Sequence, residues 1–194
     1  MKDSKTILKE LFRKSIHICS SIVPLLLAYY YWYTVWGLLI IVALYYFCEL
    51  ARLEGHPVVL ISLITETASR QRDECKFVLG PVTLVLGIVF AALVLPPECA
   101  RVGIYALAFG DGLASLGGKL FGRVKLPLTG GKTLEGSLTC FIAVFISTYV
   151  VSKRPLVSAV VAFAAMLIEV FPLGDWDNMI IPAATGGIYW LFLM

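Results

Sequence analysis

The residues best suited to chemistry lie in one stretch, Phe109 to Ser137, which reads FGDGLASLGGKLFGRVKLPLTGGKTLEGS. Glycines let backbone N–H groups approach phosphate oxygens, basic side chains neutralise phosphate charge, and carboxylates hold divalent cations. The stretch holds all three kinds of residue: the glycines Gly117, Gly118, Gly130 and Gly131, the basic residues Lys119, Arg123, Lys125 and Lys132, and the acidic residues Asp111 and Glu135. It therefore predicts a site for a polyphosphate and a metal ion.

The end of this stretch predicts the start of a helix. Thr133 is expected to open the helix, with Glu135 and Gly136 in its first turn, and a helix N-terminus favours anions. A Walker phosphate-binding loop is excluded, because its first glycine would fall where Leu126 stands and no strand is expected before the segment. The predicted phosphate site is therefore of another kind.

Asp111 is the residue that argues most strongly for function. The glycines could simply let a loop turn, and the basic side chains could simply follow the distribution typical of cytoplasmic loops. Asp111, however, lies within or beside the apolar run YALAFGDGLASL. An ionised carboxylate at that depth is costly unless it is paired or binds a metal ion. We therefore expect Asp111 to take part in the function.

The elements that position these residues are predicted from apolar runs. The chain is 59% hydrophobic and 15% charged, with a mean hydropathy of +0.88, which lies outside the range of soluble domains. A helix needs about 20 apolar residues to cross a bilayer core. Seven runs approach that length: residues 16–33, 35–50, 77–95, 100–116, 134–151, 155–171 and 179–194. The sequence therefore predicts an all-α, polytopic integral membrane protein with about seven transmembrane helices in a single domain, residues 1–194; six helices remain an alternative because several runs are short.

The basic residues predict the orientation of these helices. Short cytoplasmic loops carry an excess of Lys and Arg. With a cytoplasmic N-terminus, 13 of the 16 basic residues lie on the inner side, and only Arg101, Lys153 and Arg154 lie outside. The inner segment 51–76 has an apolar stretch at helical spacing, which predicts an amphipathic helix on the membrane surface. The predicted site thus faces the cytoplasm.

Other classes of function are disfavoured by composition. The net charge of +3 is small, and the basic residues form short clusters between apolar runs, so nucleic acid is not an expected partner. The five cysteines are scattered singly without a CxxC pair, which indicates neither a zinc site nor a disulfide framework.

Two motifs in the chemical stretch resemble those of a known family. GDGLASLGGKLFG, from Gly110 to Gly122, and GKTLEGS, from Gly131 to Ser137, are similar to the paired motifs of the CTP-dependent membrane lipid kinases. This family contains dolichol kinase, phytol kinase and the fungal-type CTP-dependent diacylglycerol kinase, and it is related to phosphatidate cytidylyltransferase. Many relatives have a second lysine where this chain has Gly131, and Arg123 or Lys125 could compensate for it.

Three further segments fit the same resemblance. They are the RKxxH element with Arg13, Lys14 and His17, the pair Glu49 and Arg52, and a C-terminal element with Glu169, Pro172, Asp177, Asn178 and Pro182. Each also has a purely structural interpretation. Arg13 and Lys14 could anchor the chain at the membrane surface, and Asp177 and Asn178 could cap the last helix.

The resemblance implies transfer of the γ-phosphate of CTP to the hydroxyl of a membrane lipid. It implies catalytic roles for Asp111, Lys132 and His17, with Asp111 or His17 as the base, and binding of a divalent cation, expected to be Mg²⁺, by Asp111, Glu135 and Asp177. The residues it implies for nucleotide binding are Gly110, Gly117, Gly118, Lys119, Gly122, Arg123, Lys125, Gly130, Gly131, Thr133, Arg13, Lys14 and Asn178.

Several alternatives stay open at the level of sequence. Phosphatidate cytidylyltransferase shares the nucleotide, but its S-P-K-K-T-x-E-G element is altered here at Leu128, Thr129, Gly130 and Gly131, which favours a kinase. A kinase of lipid monophosphates and a small membrane transporter are the other candidates. The sequence does not distinguish diacylglycerol from polyprenol, phytol or farnesol as the acceptor, and it is silent on the strictness for CTP and on the oligomeric state.

Overall fold

The computed structural model describes residues 4–68, 76–127 and 129–194, and their regular structure is helical. The helices are α1 (Ser4–Cys19), α2 (Val23–Leu53), α3 (Val59–Ala68), α4 (Gly80–Val94), α5 (Pro97–Tyr105), α6 (Gly112–Phe121), α7 (Leu134–Ser152), α8 (Pro155–Val170) and α9 (Asp177–Leu191). A 3-10 turn, Ser20–Ile22, joins α1 to α2, and a π-helical segment, Ala106–Asp111, joins α5 to α6. The only β-pairing among the described residues is an isolated bridge between Lys125 and Thr133. The predicted all-α class is confirmed.

The chain reverses direction inside α2. Tyr30 has non-helical backbone angles, with φ −137° and ψ 52°. Just after it, Tyr31 donates its hydroxyl to the carbonyl of Ala92 at 2.7 Å, whereas Tyr45 reaches the carbonyl of Val78 at 3.0 Å. Ala92 and Val78 mark opposite ends of α4, so the second part of α2 runs antiparallel to α4. The boundary between the first two passes, expected after Tyr33, lies at Tyr30.

Contacts between distant residues show that the later helices also alternate between two ends of the bundle. Asn178, at the start of α9, donates its amide to the carbonyl of Gly80 at the start of α4. Arg154, at the start of α8, donates to the carbonyl of Phe192 at the end of α9. Seven helical passes result within the described residues. We call the end that holds Asp111 and Asn178 the site end.

A helical pass through the bundle is not necessarily long and apolar enough to span a membrane. Two described helical stretches are long and apolar enough to cross a membrane, Leu8–Leu53 and Leu134–Ser152. Gly80–Val94 and Pro155–Val170 are apolar but shorter. Seven transmembrane helices with a cytoplasmic N-terminus therefore stay a prediction.

Glycines allow α9 to lie directly against its neighbours. A Cβ at Gly87 of α4 would collide with the carbonyl oxygen of Asn178, and one at Gly103 of α5 with that of Pro182. Small residues at helix contacts let two backbones approach, which is the usual way in which helices associate when the surroundings are apolar. This close contact holds Asn178 against α4.

The protein surface is apolar and part of its interior is polar. Tyr33 and Leu156 are 83% and 74% exposed, whereas Thr148, Ser158 and Thr185 are fully buried. The core is apolar as well, so the departure from a typical water-soluble domain lies in the many large apolar side chains on the surface.

Helix α3 agrees with the amphipathic helix predicted in segment 51–76. Its polar residues Ser62 and Thr65 are buried, and its apolar residues Val59 and Ile64 are exposed. The apolar face is therefore turned outward. Residues 69–75, which follow this helix in the same segment, lie outside the described residues.

Candidate active site

Asp111 ends the π-helical segment and lies in the interior. Its carboxylate Oδ2 accepts a hydrogen bond from the Lys14 Nζ at 2.5 Å, and the Asp111 and Lys14 side chains are only 7% and 3% exposed. The ring Nδ1 of His17 lies 3.1 Å from the same oxygen, without the alignment of a hydrogen bond. π-Helical turns often occur at functional sites because they shift the residues that follow. The structure thus joins three predicted catalytic or binding residues from α1 and the π segment.

A second buried carboxylate, Glu10, was missed by the sequence analysis. Its Oε2 accepts from the Lys119 Nζ at 2.7 Å and its Oε1 from the Ser115 hydroxyl at 2.6 Å. Arg13 also donates to Glu10. The available signal was spacing: Glu10, Arg13 and His17 recur every three or four residues, which places them on one face of a helix.

A third pair joins the loop before α7 to the end of α8. The Lys132 Nζ donates to Oε1 of Glu169 at 2.6 Å and also to the backbone carbonyl of Glu169. The other carboxylate oxygen of Glu169, Oε2, is buried and has no protein hydrogen-bond partner. Buried polar atoms are normally paired, so this oxygen is available to a ligand.

The loop between α6 and α7 is a short hairpin. Leu126 N donates to the Lys132 carbonyl and Leu134 N to the Val124 carbonyl, each at 2.9 Å. Gly130 and Gly131 turn the hairpin with φ of 70° and 97°, a region that other residues rarely adopt. Leu128 lies outside the described residues.

Thr133 begins α7 as predicted. Its hydroxyl accepts from Gly136 N at 3.2 Å, which is the geometry of an N-cap. The first turn of α7 therefore lies beside the hairpin, and its Leu134 and Gly136 N–H groups are already hydrogen-bonded within the protein.

These residues surround one open cleft with a volume of about 560 Å³, within the usual range of small-molecule sites. Five basic and four acidic side chains line it: Arg13, Lys14, Lys119, Lys125 and Lys132, with Glu10, Asp111, Glu169 and Asp177. The predicted binding residues Gly118, Gly122, Gly130, Gly131 and Thr133 also line it. The near balance of charge means that most cations are held in place by carboxylates before any anion binds.

Besides His17 and Asn178, four predicted site residues lie outside the lining of this cleft, namely Gly110, Gly117, Arg123 and Glu135, and their roles in binding stay predictions. A Cβ on Gly110 would lie 2.7 Å from Cγ2 of Val144, and one on Gly117 would collide with Thr139, so both glycines serve helix packing. Arg123 is exposed on the hairpin.

Glu135 is the fourth of these residues, and it supports the hairpin. Its carboxylate accepts from Val124 N at 3.2 Å. A metal-binding role for Glu135 stays a prediction, because its carboxylate contacts the base of the hairpin and is not among the groups that line the cleft.

The remaining predicted metal ligands, Asp111 and Asp177, border the same cleft. The described residues contain no group of three or more His, Cys, Asp or Glu side chains placed to hold a metal ion. Mg²⁺ is commonly held by one or two carboxylates together with substrate phosphates, and Asp111 and Asp177 could supply the carboxylates. The donor set therefore fits a metal ion that arrives with a nucleotide.

A second, smaller cavity of about 40 Å³ lies between α1, α4 and α9. Asn178 and His17 line it instead of the cleft, whereas Asp111 and Lys14 border both spaces. The predicted nucleotide-binding residue Asn178 is thus separated from the hairpin.

Comparison with known proteins shows similar chains among phytol kinases. The chain is 30% identical over 190 residues to "Phytol kinase" of Synechocystis, which covers 93% of this chain and 78% of that protein. It is 29% identical over 143 residues to "Phytol kinase 1, chloroplastic" of Arabidopsis thaliana and 30% identical over 142 residues to "Probable phytol kinase 1, chloroplastic" of Glycine max. These two alignments cover 64% and 63% of this chain but only 47% and 46% of the plant proteins. No protein-family model and no solved structure gives a match.

These relatives show that the protein is a kinase, a phosphotransferase with an alcohol group as acceptor. The chain belongs to the phytol kinase family of lipid kinases. The resemblance seen in its motifs is thereby confirmed, and a transporter is set aside.

Proposed function

We propose that this chain is an integral membrane kinase that transfers the γ-phosphate of CTP to the hydroxyl of a long-chain isoprenoid alcohol of the phytol type. The acceptor is suggested by the names of the relatives, and CTP by the paired motifs. The observation that carries the proposal is the cleft, in which lysines from three parts of the chain, Lys14, Lys119 and Lys132, meet the glycine turn of the hairpin.

The cleft suits a triphosphate because its cations are already oriented. Phosphoryl transfer requires mainly positioning and neutralisation of charge. Lys119 and Lys132 are each fixed by a carboxylate, at 2.7 Å and 2.6 Å, yet their side chains are 33% and 27% exposed. They can therefore donate to phosphate oxygens without first losing much conformational freedom.

A divalent cation, expected to be Mg²⁺, would be held by Asp111 and Asp177 together with the nucleotide phosphates. It would neutralise charge on the phosphate oxygens during transfer. Glu169 lies on the same cleft, and its unpartnered Oε2 is suited to a water ligand of such an ion.

The proposed reaction is a direct displacement at the γ-phosphorus of CTP. The alcohol oxygen forms a bond to the γ-phosphorus, the bond from that phosphorus to the β,γ-bridging oxygen breaks, and CDP leaves with the electron pair. The hydroxyl proton passes to Asp111, which borders both spaces, or to His17, which lines the small cavity. Lys14 holds the Asp111 carboxylate in place at 2.5 Å.

The surroundings of the site support a membrane location with the site end in the cytoplasm. The outer surface carries large apolar side chains such as Tyr33 and Leu156, and the hairpin carries the basic residues that favour the cytoplasmic side. A water-soluble nucleotide and a bilayer-dissolved alcohol would then meet at the same end of the bundle.

The test is a transfer assay with γ-labelled and α-labelled CTP in parallel. The purified chain in lipid vesicles is given phytol, farnesol, dolichol, diacylglycerol, phytyl phosphate or phosphatidate. We expect label to reach phytol from the γ position only, with unlabelled CTP competing better than ATP, GTP or UTP. Label from the α position would identify a cytidylyltransferase instead, γ-label on phytyl phosphate alone would identify a kinase of lipid monophosphates, and no labelled lipid would refute the proposal.

A further inference from the structure

Two separate spaces meet at Asp111 and Lys14, with Arg13 and Asp177 also bordering both. The large cleft lies on one side of this pair, and the small cavity between α1, α4 and α9 lies on the other. The wall of the small cavity is mainly apolar, formed by Ile16, Val78, Pro81 and Leu84. A group bound in the small cavity would therefore face the cleft across the Asp111 carboxylate.

The small cavity also has a polar end with an unused hydrogen-bond acceptor. Asn178 donates its amide nitrogen to the Thr83 hydroxyl at 3.0 Å and to the Gly80 carbonyl at 3.3 Å. A carbonyl can only accept, so the nitrogen must face Gly80, and this fixes the orientation of the amide. The amide oxygen Oδ1 is left buried without a protein partner.

His17 provides a second buried atom at the same cavity. Its side chain is 8% exposed, and its Nδ1 lies beside Asp111 without an aligned hydrogen bond. Buried polar groups normally have partners. The acceptor Asn178 Oδ1, which has no protein partner, beside an apolar wall fits a ligand with one hydroxyl and a hydrocarbon chain.

We propose that the small cavity binds the hydroxyl end of the lipid acceptor, and that its narrowness selects a primary alcohol at the end of a single chain over diacylglycerol. This inference rests on the proposed function and names the place and the shape of its acceptor. Asn178 accepts the hydroxyl hydrogen in the resting complex, Leu84 and Ile16 contact the first carbons, and the rest of the chain stays in the bilayer.

The small volume of the cavity is the reason to expect selection of a single-chain alcohol over diacylglycerol. One water-sized group needs about 10 to 15 Å³ measured in the same way, and the cavity holds about 40 Å³. A hydroxymethyl group with its neighbouring carbons fits this space. The glycerol backbone of diacylglycerol, which carries two ester groups beside its hydroxyl, does not.

The first experiment narrows the cavity with Leu84→Trp and compares it with Leu93→Trp. Both leucines lie on α4, but Leu84 is 5% exposed and lines the cavity, whereas Leu93 is 52% exposed near the other end of the helix. We expect Leu84→Trp to raise KM for phytol at least about tenfold, a typical effect of one misfitting group in an apolar pocket. KM for CTP should change less than about twofold, which is smaller than the loss of any direct contact, and Leu93→Trp should change neither constant.

The second experiment widens the cavity with Leu84→Ala. This variant tests the proposed selectivity even if Leu84→Trp does not fold. We expect the ratio of diacylglycerol to phytol phosphorylation to rise about tenfold or more, since removing a wall residue relaxes discrimination of this size. An unchanged ratio, an unchanged KM for phytol in a folded Leu84→Trp protein, or equal use of both lipids by the unmodified chain would each overturn the inference. Failure of the proposed function is distinguishable, because the unmodified chain would then transfer no γ-label to any alcohol.

Discussion

Substitutions in the buried pair of Lys14 and Asp111 distinguish its contribution to stability from its contribution to catalysis. Asp111→Asn keeps the shape of the side chain but leaves the Lys14 ammonium, whose side chain is 3% exposed, against a neutral amide. Removing one partner of a buried ion pair costs about 3 to 5 kcal/mol. Because about 1 kcal/mol shifts Tm by roughly 2 to 4 °C in a domain of 150 to 250 residues, we expect Tm to fall by about 6 to 20 °C.

The double variant Lys14→Met with Asp111→Asn removes both charges and their penalty. Apolar or neutral replacements of a whole buried pair are often neutral or stabilising, so we expect most of the lost Tm to return. Activity should not return, because the proposed reaction needs the carboxylate beside the hydroxyl. Both variants should lose about 10²- to 10⁴-fold in phosphotransfer, the range typical of a removed acid–base or charge-stabilising group.

The assay combines thermal unfolding in detergent with γ-label transfer to phytol for the four members of the cycle. Lys14→Met alone completes the cycle and isolates the coupling between the two side chains. Recovery of activity together with Tm in the double variant would refute the reasoning, since Asp111 would then be only a structural partner of Lys14. An unchanged Tm in Asp111→Asn would refute the buried pair itself.

Three further predictions concern the other charges. Lys132→Ala should reduce kcat/KM for CTP about 10- to 100-fold, equivalent to the loss of one charge-assisted hydrogen bond. Arg123→Ala on the same hairpin, at an exposed position outside the cleft lining, should change it less than about threefold. Equal effects of the two variants in steady-state kinetics would contradict the assigned role of Lys132. Glu10→Gln keeps an acceptor for Lys119 and Ser115 but removes the negative charge. Tm should therefore fall by about 3 to 12 °C, and KM for CTP should rise. If Tm and KM for CTP both equal those of the unmodified chain, Glu10 does not position Lys119. Arg123→Cys and Glu98→Cys place cysteines at exposed positions near opposite ends of the bundle. In intact cells, and relative to the unmodified chain, the cysteine at 123 should be labelled only from the cytoplasmic side and the cysteine at 98 only from the external side. The reverse pattern would invert the predicted topology.

The sequence by itself determined the class of fold and the family. Apolar runs of about 16 to 19 residues are long enough for a helix to satisfy its own backbone hydrogen bonds in an apolar environment, whereas the strands of a membrane barrel are about 10 residues long and alternate with polar residues. The two glycine-rich motifs identified the family, and the unusual place of Asp111 in an apolar run made it the strongest candidate for a functional carboxylate. Thr133 was recognised as the residue that opens α7 because its hydroxyl and its spacing to Gly136 are local properties of the chain.

Only the tertiary structure decided which partners these residues take. Glu10 meets Ser115 and Lys119 across more than 100 positions of sequence, and no local spacing encodes such a contact. Packing also separated glycines of similar appearance: Gly117 touches Thr139, whereas Gly131 has open space around it. The small cavity arises because three helices meet at Asn178, and its width depends on how closely their backbones approach, which is a property of the folded bundle rather than of any one segment.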